Sequence, residues 1–379
     1  MITVLSNCDI YTGSEVLSEH SIVLRDGIIE SVTDTPPVGA DEVVDLDRRS
    51  VAPGFIDIQV NGGGDVLLND EPTEAGVHKI AAAHRKFGTT DILPTFITGP
   101  LDGMRKAAAA VDAARKTDPG VLGIHFEGPV ISPKKLGVHA PDFVREADDA
   151  VFAAFTSASS EGKTIVTLAP ELAPPGFIRR LKSHGVLVAA GHTNATGDDM
   201  KRGFAEGITL GTHVWNAMSP LTSREPGAVG ALLADDGAWC DFVADGYHLD
   251  FTTLAVSLRS AAPRGFLVTD AMSPVGGTKG SYRLGDLEVT VVDGRCQTAD
   301  GTLAGSALDL ATAVRNLVQK IGVPKDEALR MASTYPAEFL GLGHERGRIA
   351  PGYPAHLAIF DNEIYVSAIY YNGQLIQTS

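Results

Sequence analysis

Cysteine is scarce in this chain of 379 residues, and its three cysteines, Cys8, Cys240 and Cys296, lie far apart in the sequence. No two of them form a Cys-x-x-Cys pair, and an odd number cannot pair completely. The pattern therefore argues against a disulfide-stabilised scaffold and against a cysteine-rich zinc site.

Long apolar segments are also missing from the sequence. No run approaches the roughly 20 apolar residues that a membrane-spanning helix needs. Residues 1–5 lack the basic and apolar regions that begin a signal peptide. We therefore expect a cytoplasmic protein that does not contact a membrane.

Positive charge is in deficit, since 31 Lys and Arg residues face 47 Asp and Glu residues and the formal net charge is −16. A fold this acidic is a poor partner for nucleic acid. A small anionic substrate stays compatible with this charge, because a few Arg and His side chains can reverse the sign within one pocket. The 44% of hydrophobic residues is typical of a globular protein and excludes a disordered chain.

The two ends of the chain have the pattern of short β-strands. Runs rich in β-forming residues alternate with turn residues there, at residues 2–5, 21–24, 28–32, 356–360 and 366–370. Neither end is long enough to form a convincing domain alone. We therefore predict that residues 1–50 and 346–379 pair into one small β-sandwich domain.

The middle of the chain, residues 51–345, alternates short apolar runs with longer helical patterns. Repetition of strand and helix predicts a parallel sheet, and eight such units in about 290 residues favour a (β/α)₈ barrel over an open sheet. The predicted strands cover residues 53–59, 91–95, 121–126, 164–169, 187–190, 208–212, 240–244 and 266–269. The clearest predicted helices cover residues 73–87, 102–116, 199–206 and 307–320.

Four of the predicted strands run into residues that can bind a metal or move a proton, namely Glu127, His192, His213 and Asp270. Barrel enzymes carry out their chemistry at the carboxyl ends of their strands, so we expect these side chains at one opening. Two imidazoles and a carboxylate suit a divalent ion such as Zn²⁺, which lowers the pKa of a bound water. The remaining Asp270 suits a general base. The pattern predicts metal-assisted hydrolysis.

Each of these residues also has a structural interpretation. A single His or Glu near a strand end is more often a solvated loop residue, and Asp270 could cap a following helix. His125, two residues before Glu127, fits a hydrogen-bonded core histidine better than a ligand. The coincidence of four such residues at matched strand ends favours the functional interpretation.

Longer strings around these residues resemble the amidohydrolase superfamily and, within it, the N-acetylglucosamine-6-phosphate deacetylase family. The strings are PGFID at 53–57, HFEGP at 125–129, GHTNAT at 191–196, THVWNAM at 212–218, REPG at 224–227, ADGYH at 244–248, VTDA at 268–271 and LAGS at 303–306. The resemblance covers nearly the whole chain. It implies hydrolysis of N-acetylglucosamine 6-phosphate to glucosamine 6-phosphate and acetate.

The resemblance also implies a role for individual residues. Glu127, His192 and His213 would hold one divalent metal, Zn²⁺ by preference, although Fe²⁺, Mn²⁺ and Co²⁺ accept the same ligands. Asp270 would activate the water and then protonate the departing amine. The residues implied to contact the substrate are His139, Asn216, Ala217, Arg224, His248 and Leu303. Arg224 and His248 would bind the sugar phosphate, with Arg224 reaching across from the neighbouring subunit of a homodimer.

One position departs from the pattern of many amidohydrolases, which carry His-x-His after the first barrel strand as ligands of a second metal. Here Gln59 and Asn61 occupy those positions. Amides bind Zn²⁺ poorly compared with imidazole, and in the deacetylase family this version accompanies a single-metal site. We therefore predict one tightly held metal.

Two alternatives stay open at this point. The first is another amidohydrolase reaction, such as deacetylation of N-acetylgalactosamine 6-phosphate, because Arg224 and His248 indicate a phosphate without distinguishing the sugars. The second is a non-catalytic relative that serves in binding or assembly. Such relatives typically lose the metal ligands or the base, whereas this chain retains all four residues.

Overall fold

A computed structural model describes residues 1–378 of the protein. Its strands, in chain order, are β1 (Ile2–Tyr11), β2 (Val16–Arg25), β3 (Ile28–Thr33), β4 (Glu42–Pro53), β5 (Phe55–Val60), β6 (Gly62–Gly63), β7 (Val66–Leu67), β8 (Thr89–Ile97), β9 (Gly123–Glu127), β10 (Lys163–Leu168), β11 (Leu187–Ala190), β12 (Ile208–Gly211), β13 (Trp239–Val243), β14 (Gly265–Val268), β15 (Ser281–Leu284), β16 (Leu287–Val292), β17 (Arg295–Thr298), β18 (Leu303–Ser306), β19 (Leu357–Phe360), β20 (Val366–Tyr371) and β21 (Gln374–Gln377).

The α-helices of the described residues, in chain order, are α1 (Glu74–Arg85), α2 (Leu101–Ala114), α3 (Asp149–Phe155), α4 (Phe177–Ser183), α5 (Gly197–Glu206), α6 (Gly227–Ala234), α7 (Phe251–Ala261), α8 (Leu310–Asn316), α9 (Lys325–Ala332) and α10 (Thr334–Phe339). Two 3₁₀ turns cover Pro141–Phe143 and Pro170–Leu172, and a π-helical segment covers Leu317–Ile321. Within residues 1–378, none of the helices has the length and apolar character needed to cross a membrane.

Eight parallel strands form the central sheet, in the order β5-β8-β9-β10-β11-β12-β13-β14. Its first and last strands meet where Val60 pairs in parallel with Ala271 and where the Asp270 N–H donates to the Gln59 carbonyl at 3.0 Å. The sheet is therefore a nearly closed barrel, and the predicted (β/α)₈ fold is confirmed. All eight strands expected from the apolar runs are present within a few residues of their predicted limits.

Burial explains why these strands were readable in the sequence. Every residue of β5 and of β8 is buried, as expected of strands whose two faces pack against helices and against the filled interior of a barrel. Such strands need apolar residues on both faces. They therefore appear as continuous apolar runs.

Helix α5 shows how the loops above the barrel are fixed. The Thr196 hydroxyl accepts from the Asp199 N–H at 3.2 Å, and the Asp199 carboxylate accepts from the Thr196 N–H at 2.8 Å. This capping box sets where the helix begins, five residues after His192. The helix ends at Glu206 and is followed by Gly207, whose φ of 129° is accessible to glycine.

An antiparallel sheet of four strands, β15 to β18, is inserted between β14 and α8. The Tyr282 hydroxyl fixes its first strand to its last by donating to the Ala304 carbonyl at 2.5 Å. The sequence analysis predicted no strands here. The inserted sheet carries Leu303 in β18, one of the residues implied to contact the substrate.

The two ends of the chain share a sheet of seven strands, in the order β3-β2-β1-β4-β19-β20-β21. Its core contains Leu5, Ile22, Val51 and Ile359, all fully buried. The predicted small β domain built from both termini is therefore present. The first compact unit of the chain contains this sheet and comprises residues 1–57, 84–91 and the residues from 309 onward.

The second compact unit comprises residues 58–83 and 92–308. All the residues implied to form the site belong to this unit. The domain limits predicted from the sequence, 1–50 with 346–379 and 51–345, stay a prediction.

Candidate active site

Four chemically active side chains lie at the carboxyl ends of barrel strands. Glu127 is the last residue of β9, His192 and His213 each follow their strands β11 and β12 by two residues, and Asp270 follows β14 by two. All four are buried, with at most 9% of each residue exposed. The structure thus brings together the four residues that the strand ends singled out.

Three of these residues have a strained backbone. The φ angles are 47° at His192, 35° at His213 and 52° at Asp270, in the left-handed region that favours glycine. Each such residue costs about 1 kcal/mol relative to an ordinary backbone. Strain of this kind persists where the surrounding structure imposes it, and it concentrates at active sites.

Glu127 is the centre of the cluster. Its Oε1 lies 2.8 Å from His213 Nε2 and 3.1 Å from His192 Nε2. His192 Nδ1 lies 2.8 Å from the Lys135 carbonyl, and a carbonyl only accepts, so Nδ1–H donates there and Nε2 is the nitrogen that faces Glu127. One carboxylate oxygen and two imidazole nitrogens that converge in this way are the kind of donor set that binds a divalent cation.

His139 joins the same cluster from the loop after β9. Ligand atoms of Glu127, His139 and His192 lie within 4.8 Å of one another, and the His139 and His192 rings are 4.2 Å apart. The Thr98 hydroxyl, 2.8 Å from His139 Nδ1, holds the ring in place. His213 approaches the carboxylate more closely, with Nε2 2.8 Å from Glu127 Oε1, and the ligand set of Glu127, His192 and His213 stays a prediction. His139 borders it.

The pKa values of Glu127 and His213 show how strongly the charges in the cluster interact. Burial alone would raise the pKa of Glu127, but His192 and His213 outweigh burial and hold this pKa well below its usual range. Burial likewise opposes charge on His213, yet Glu127 raises the pKa of this imidazole to about 9. A bound cation satisfies the carboxylate without requiring a proton on either histidine.

Asp270 faces the cluster and is held by two amides. Its Oδ1 accepts from Asn61 Nδ2 at 2.7 Å and from Gln59 Nε2 at 3.2 Å. Burial raises the pKa of Asp270, and the negative charge of Glu127 adds to the effect. Gln59 and Asn61 therefore use their side-chain nitrogens as hydrogen-bond donors to the Asp270 carboxylate.

His248 lies on the other side of Asp270. Its Nε2 is 3.7 Å from Asp270 Oδ2, and its Nδ1 is 2.7 Å from Asp245 Oδ2. The Asp245 carboxylate also accepts from the His248 N–H at 2.8 Å. The imidazole is thus held through Nδ1, with Nε2 facing the expected general base.

One cavity of about 390 Å³ contains most of the predicted site. The predicted residues that line it are Asn61, Glu127, His139, His192, His213, Asn216, Ala217, His248, Asp270 and Leu303. Gln59 lies beneath it, fully buried. The volume suits a small-molecule substrate.

Arg224 does not line this cavity and lies on an exposed loop. The loop itself is anchored, because Glu225 Oε1 accepts from the Gly197 N–H at 2.8 Å and from the Gly227 N–H at 2.9 Å.

Several residues of the site were missed by the sequence analysis. Lys134 and Lys135 line the cavity, and a pair of cations shortly after Glu127 in an acidic chain was the available signal. Glu171 holds the segment after His192 by accepting from the Thr193 hydroxyl and the Asn194 N–H, at 2.5 and 2.7 Å.

Asp241 was missed because it lies inside a predicted strand. It is fully buried, and its Oδ1 accepts a hydrogen bond from the His213 N–H. Burial raises the pKa of Asp241 to about 8.

His125 is the core residue that the sequence analysis favoured. It is fully buried, with Nδ1 3.0 Å from the Ile58 carbonyl and Nε2 2.7 Å from the Thr167 hydroxyl. Both nitrogens are therefore occupied by the barrel interior, and the prediction of a hydrogen-bonded core histidine is confirmed.

Comparison with known sequences agrees with this architecture. The model of the amidohydrolase family matches residues 50–376, and that of the NagA composite domain matches residues 4–44. The chain belongs to the amidohydrolase family, as its motifs predicted.

Individual relatives show which members of the family this chain resembles. The chain is 37% identical to the N-acetylgalactosamine-6-phosphate deacetylase of Shewanella sp. (strain ANA-3), an alignment that covers 95% of this chain and 92% of the relative. It is 32% identical to the N-acetylglucosamine-6-phosphate deacetylase of Haemophilus influenzae, with 98% of each chain covered. The crystal structure of N-acetylglucosamine-6-phosphate deacetylase from Pasteurella multocida superposes over 100% of both chains, with a TM-score of 0.96 and 32% identity.

Proposed function

We propose that this protein is a metal-dependent hydrolase that converts N-acetylglucosamine 6-phosphate to glucosamine 6-phosphate and acetate. The observation that carries the proposal is the position of Asp270, which is held by two amide donors beside the Glu127 cluster in one cavity. This arrangement pairs a proton acceptor with a site for a divalent cation. Relatives named as deacetylases of phosphorylated amino sugars, matched over 95% or more of this chain, supply the substrate class.

Glu127, His192 and His213 would hold one divalent ion, which we propose to be Zn²⁺. When bound there, the ion would acidify a water molecule and polarise the acetamide carbonyl. Gln59 and Asn61 direct their amide N–H groups at Asp270, which supports a single metal. Elemental analysis after exhaustive dialysis should find about one equivalent of metal per chain; two tightly held equivalents, both required for turnover, would contradict this assignment.

Asp270 would carry the proton through both halves of the reaction. Its carboxylate takes a proton from water as the water oxygen bonds to the acetamide carbon. The same carboxyl group then gives that proton to the sugar nitrogen as the carbon–nitrogen bond breaks, which releases acetate and the free amine. A pKa raised by burial suits both steps, because the group must accept a proton and later return it.

The cavity supplies the contacts that the sugar phosphate needs. We propose that His248, from the same chain as Asp270, and Arg224 of the partner subunit bind the phosphate, and that Asn216, Ala217 and Leu303 line the sugar. His139, beside His192, would contact the acetyl group. In a chain with a net charge of −16, Lys134 and Lys135 add the local positive charge that a phosphorylated substrate requires.

The homodimer is part of this proposal, and the exposed, anchored loop of Arg224 supports it. Sedimentation should find a dimer. A mixed dimer of an Arg224→Ala subunit and an Asp270→Asn subunit tests the crossing. It would restore one site that has Asp270 in its own chain and Arg224 from the partner, so activity should return on mixing two inactive or weakly active proteins. Without this recovery, Arg224 acts within its own subunit or not at all.

The decisive assay is acetate release from N-acetylglucosamine 6-phosphate by metal-loaded protein, with unphosphorylated N-acetylglucosamine beside it. We expect release from the phosphorylated sugar alone. No release from either compound, in protein shown to hold metal, would reject the proposed function.

Deacetylation of N-acetylgalactosamine 6-phosphate is the second candidate function. The 37% identity to the Shewanella enzyme of that name is the observation in its favour. The two sugars differ in configuration at one carbon, so the ratio of their kcat/KM values under identical conditions decides between them. A ratio above one for the galacto sugar would make it the preferred substrate.

We propose the cytoplasm as the place of action. All three cysteines are free and buried, which suits a reducing compartment. Fractionation of cells that produce the protein, with immunodetection, would test this assignment; recovery outside the cytoplasmic fraction would contradict it.

A further inference from the structure

Asp241 is a buried carboxylate in β13 to which the proposed chemistry gives no role. Its side chain accepts a hydrogen bond from the peptide N–H of His213. Its main-chain carbonyl accepts from the N–H of Val214 at 3.0 Å. Asp241 therefore holds two consecutive peptide groups at the point where the chain leaves β12.

The backbone of His213 needs such a partner. With φ at 35° the residue has left the strand, and its buried N–H donates to a side chain, that of Asp241. A buried N–H without an acceptor costs the full desolvation of that group. At Asp270, which has the same kind of backbone, the N–H donates to the main-chain carbonyl of Gln59. At His213 a side chain supplies the acceptor, so the conformation depends on residue 241.

The second oxygen of Asp241 indicates a functional reason for the carboxylate. Within residues 1–378, Asp241 Oδ2 has no hydrogen-bond partner, although it is buried, and the same holds for His213 Nδ1. A buried polar atom without a partner is destabilising. An apolar residue here would avoid the unpaired Oδ2 but would leave the His213 N–H without its acceptor, so the contact with His213 accounts for this side chain.

We propose that Asp241 is a positioning residue that fixes His213 with its Nε2 directed at Glu127 and thereby sets the affinity of the Glu127–His192–His213 centre for a divalent metal. The inference rests on one part of the proposed function, namely that these three residues bind a metal. Groups that orient metal ligands typically change metal affinity by about 10- to 100-fold when they are removed.

The test compares variants of residue 241 by their affinity for Zn²⁺, measured in competition with a chromogenic chelator. Asp241→Ala and Asp241→Val both remove the acceptor, and Val keeps a strand-forming side chain should the Ala protein fail to fold. We expect Zn²⁺ affinity to fall about 10- to 100-fold in both. Asp241→Asn retains an oxygen that can accept the His213 N–H, so it should recover most of the affinity. The matched control is Cys240→Ala, the adjacent fully buried residue of β13, which should bind Zn²⁺ as the wild type does.

Two further measurements separate positioning from packing. The visible spectrum of the Co²⁺-loaded protein should change in the Ala and Val variants, because it reports the geometry of the ligands. The metal-free Asp241→Asn protein should melt no lower than the metal-free wild type, since Asn retains an acceptor for the His213 N–H and replaces a carboxyl group whose ionised form burial disfavours. A purely structural residue would lower the melting temperature and leave the spectrum unchanged.

Unaltered Zn²⁺ affinity and an unaltered Co²⁺ spectrum in the Ala or Val variant would overturn the inference. An equal loss of affinity in Cys240→Ala would also overturn it, since the effect would then come from the packing of β13. Because metal binding is measured without substrate, a wild type that binds Zn²⁺ but releases no acetate rejects the proposed function and leaves this inference standing.

Discussion

Asn61 offers the most direct test of the proposed proton transfer. Its Nδ2 donates to Asp270 Oδ1 at 2.7 Å, and both residues are buried. A hydrogen bond to a charged group contributes about 1.5–3 kcal/mol, and one pKa unit corresponds to about 1.4 kcal/mol. The donor favours the ionised carboxylate, so Asn61→Ala should raise the pKa of Asp270 by about 1–2 units.

The consequence is a displaced pH profile. Asp270 has to be ionised to accept a proton from water, so its pKa sets an acidic limb of kcat/KM. Burial and the charge of Glu127 already raise this pKa, and loss of the Asn61 donor acts in the same direction. The acidic limb of Asn61→Ala should therefore move about 1–2 pH units upward, with much of the activity regained on the alkaline side.

The assay is acetate release as a function of pH with metal-loaded wild type, Asn61→Ala and a control. Asn69→Ala is the matched control. The Asn69 side chain donates to the Ile97 carbonyl at 2.9 Å and accepts from the Ile97 N–H at 3.0 Å, and it does not contact Asp270. A loss of activity by the same factor at every pH in Asn61→Ala would refute the reasoning. So would an equal shift in Asn69→Ala.

Three further predictions concern separate parts of the molecule. Asp270→Asn should fold and retain its metal but lose about 10²–10⁴-fold in turnover; acetate release near the wild-type rate would require a different base. Arg224→Ala should raise KM more than it lowers the limiting rate, and an unchanged KM would remove this residue from the phosphate site. Burial opposes ionisation of Asp91, but His356 and Arg346 outweigh it and lower its pKa. The stabilisation from Asp91 is therefore present above its unfolded pKa of about 3.9 and is lost as the pH falls through the lower folded value. Asp91→Asn should then cost about 3 kcal/mol at pH 7 and progressively less below about pH 4, which thermal unfolding at both pH values would check; a constant difference would contradict the assignment.

The barrel was predictable because nearly every residue of its strands is buried. The eight runs identified in the sequence correspond to β5 and β8 to β14, whose residues pack on both faces. The inserted sheet β15 to β18 gave no such signal. Its strands alternate between more and less exposed residues, as in β15, where Ser281 and Arg283 are exposed and Tyr282 and Leu284 are half-buried. They therefore lack the apolar runs by which strands were recognised.

The site was predictable in part, and for a different reason. Glu127, His192, His213 and Asp270 could be singled out because each follows an apolar run, and strand ends of a barrel converge. Asp241 lies within an apolar run, where a single polar residue suggests a position that faces solvent. Its proposed role depends on the left-handed backbone at His213, which the residues around His213 did not predict.

The residues that break local rules coincide with the site, which indicates that the chain gives up stability there. His192, His213 and Asp270 adopt a backbone that costs about 1 kcal/mol each, and Asp270 and Asp241 are carboxylates buried against their preference for water. Substitutions that remove the backbone strain or the buried carboxyl groups should stabilise the fold and abolish the proposed activity. Metal binding offsets part of the cost, because an ion that binds the folded state alone stabilises it. The strain and the proposed chemistry are therefore properties of the same few residues.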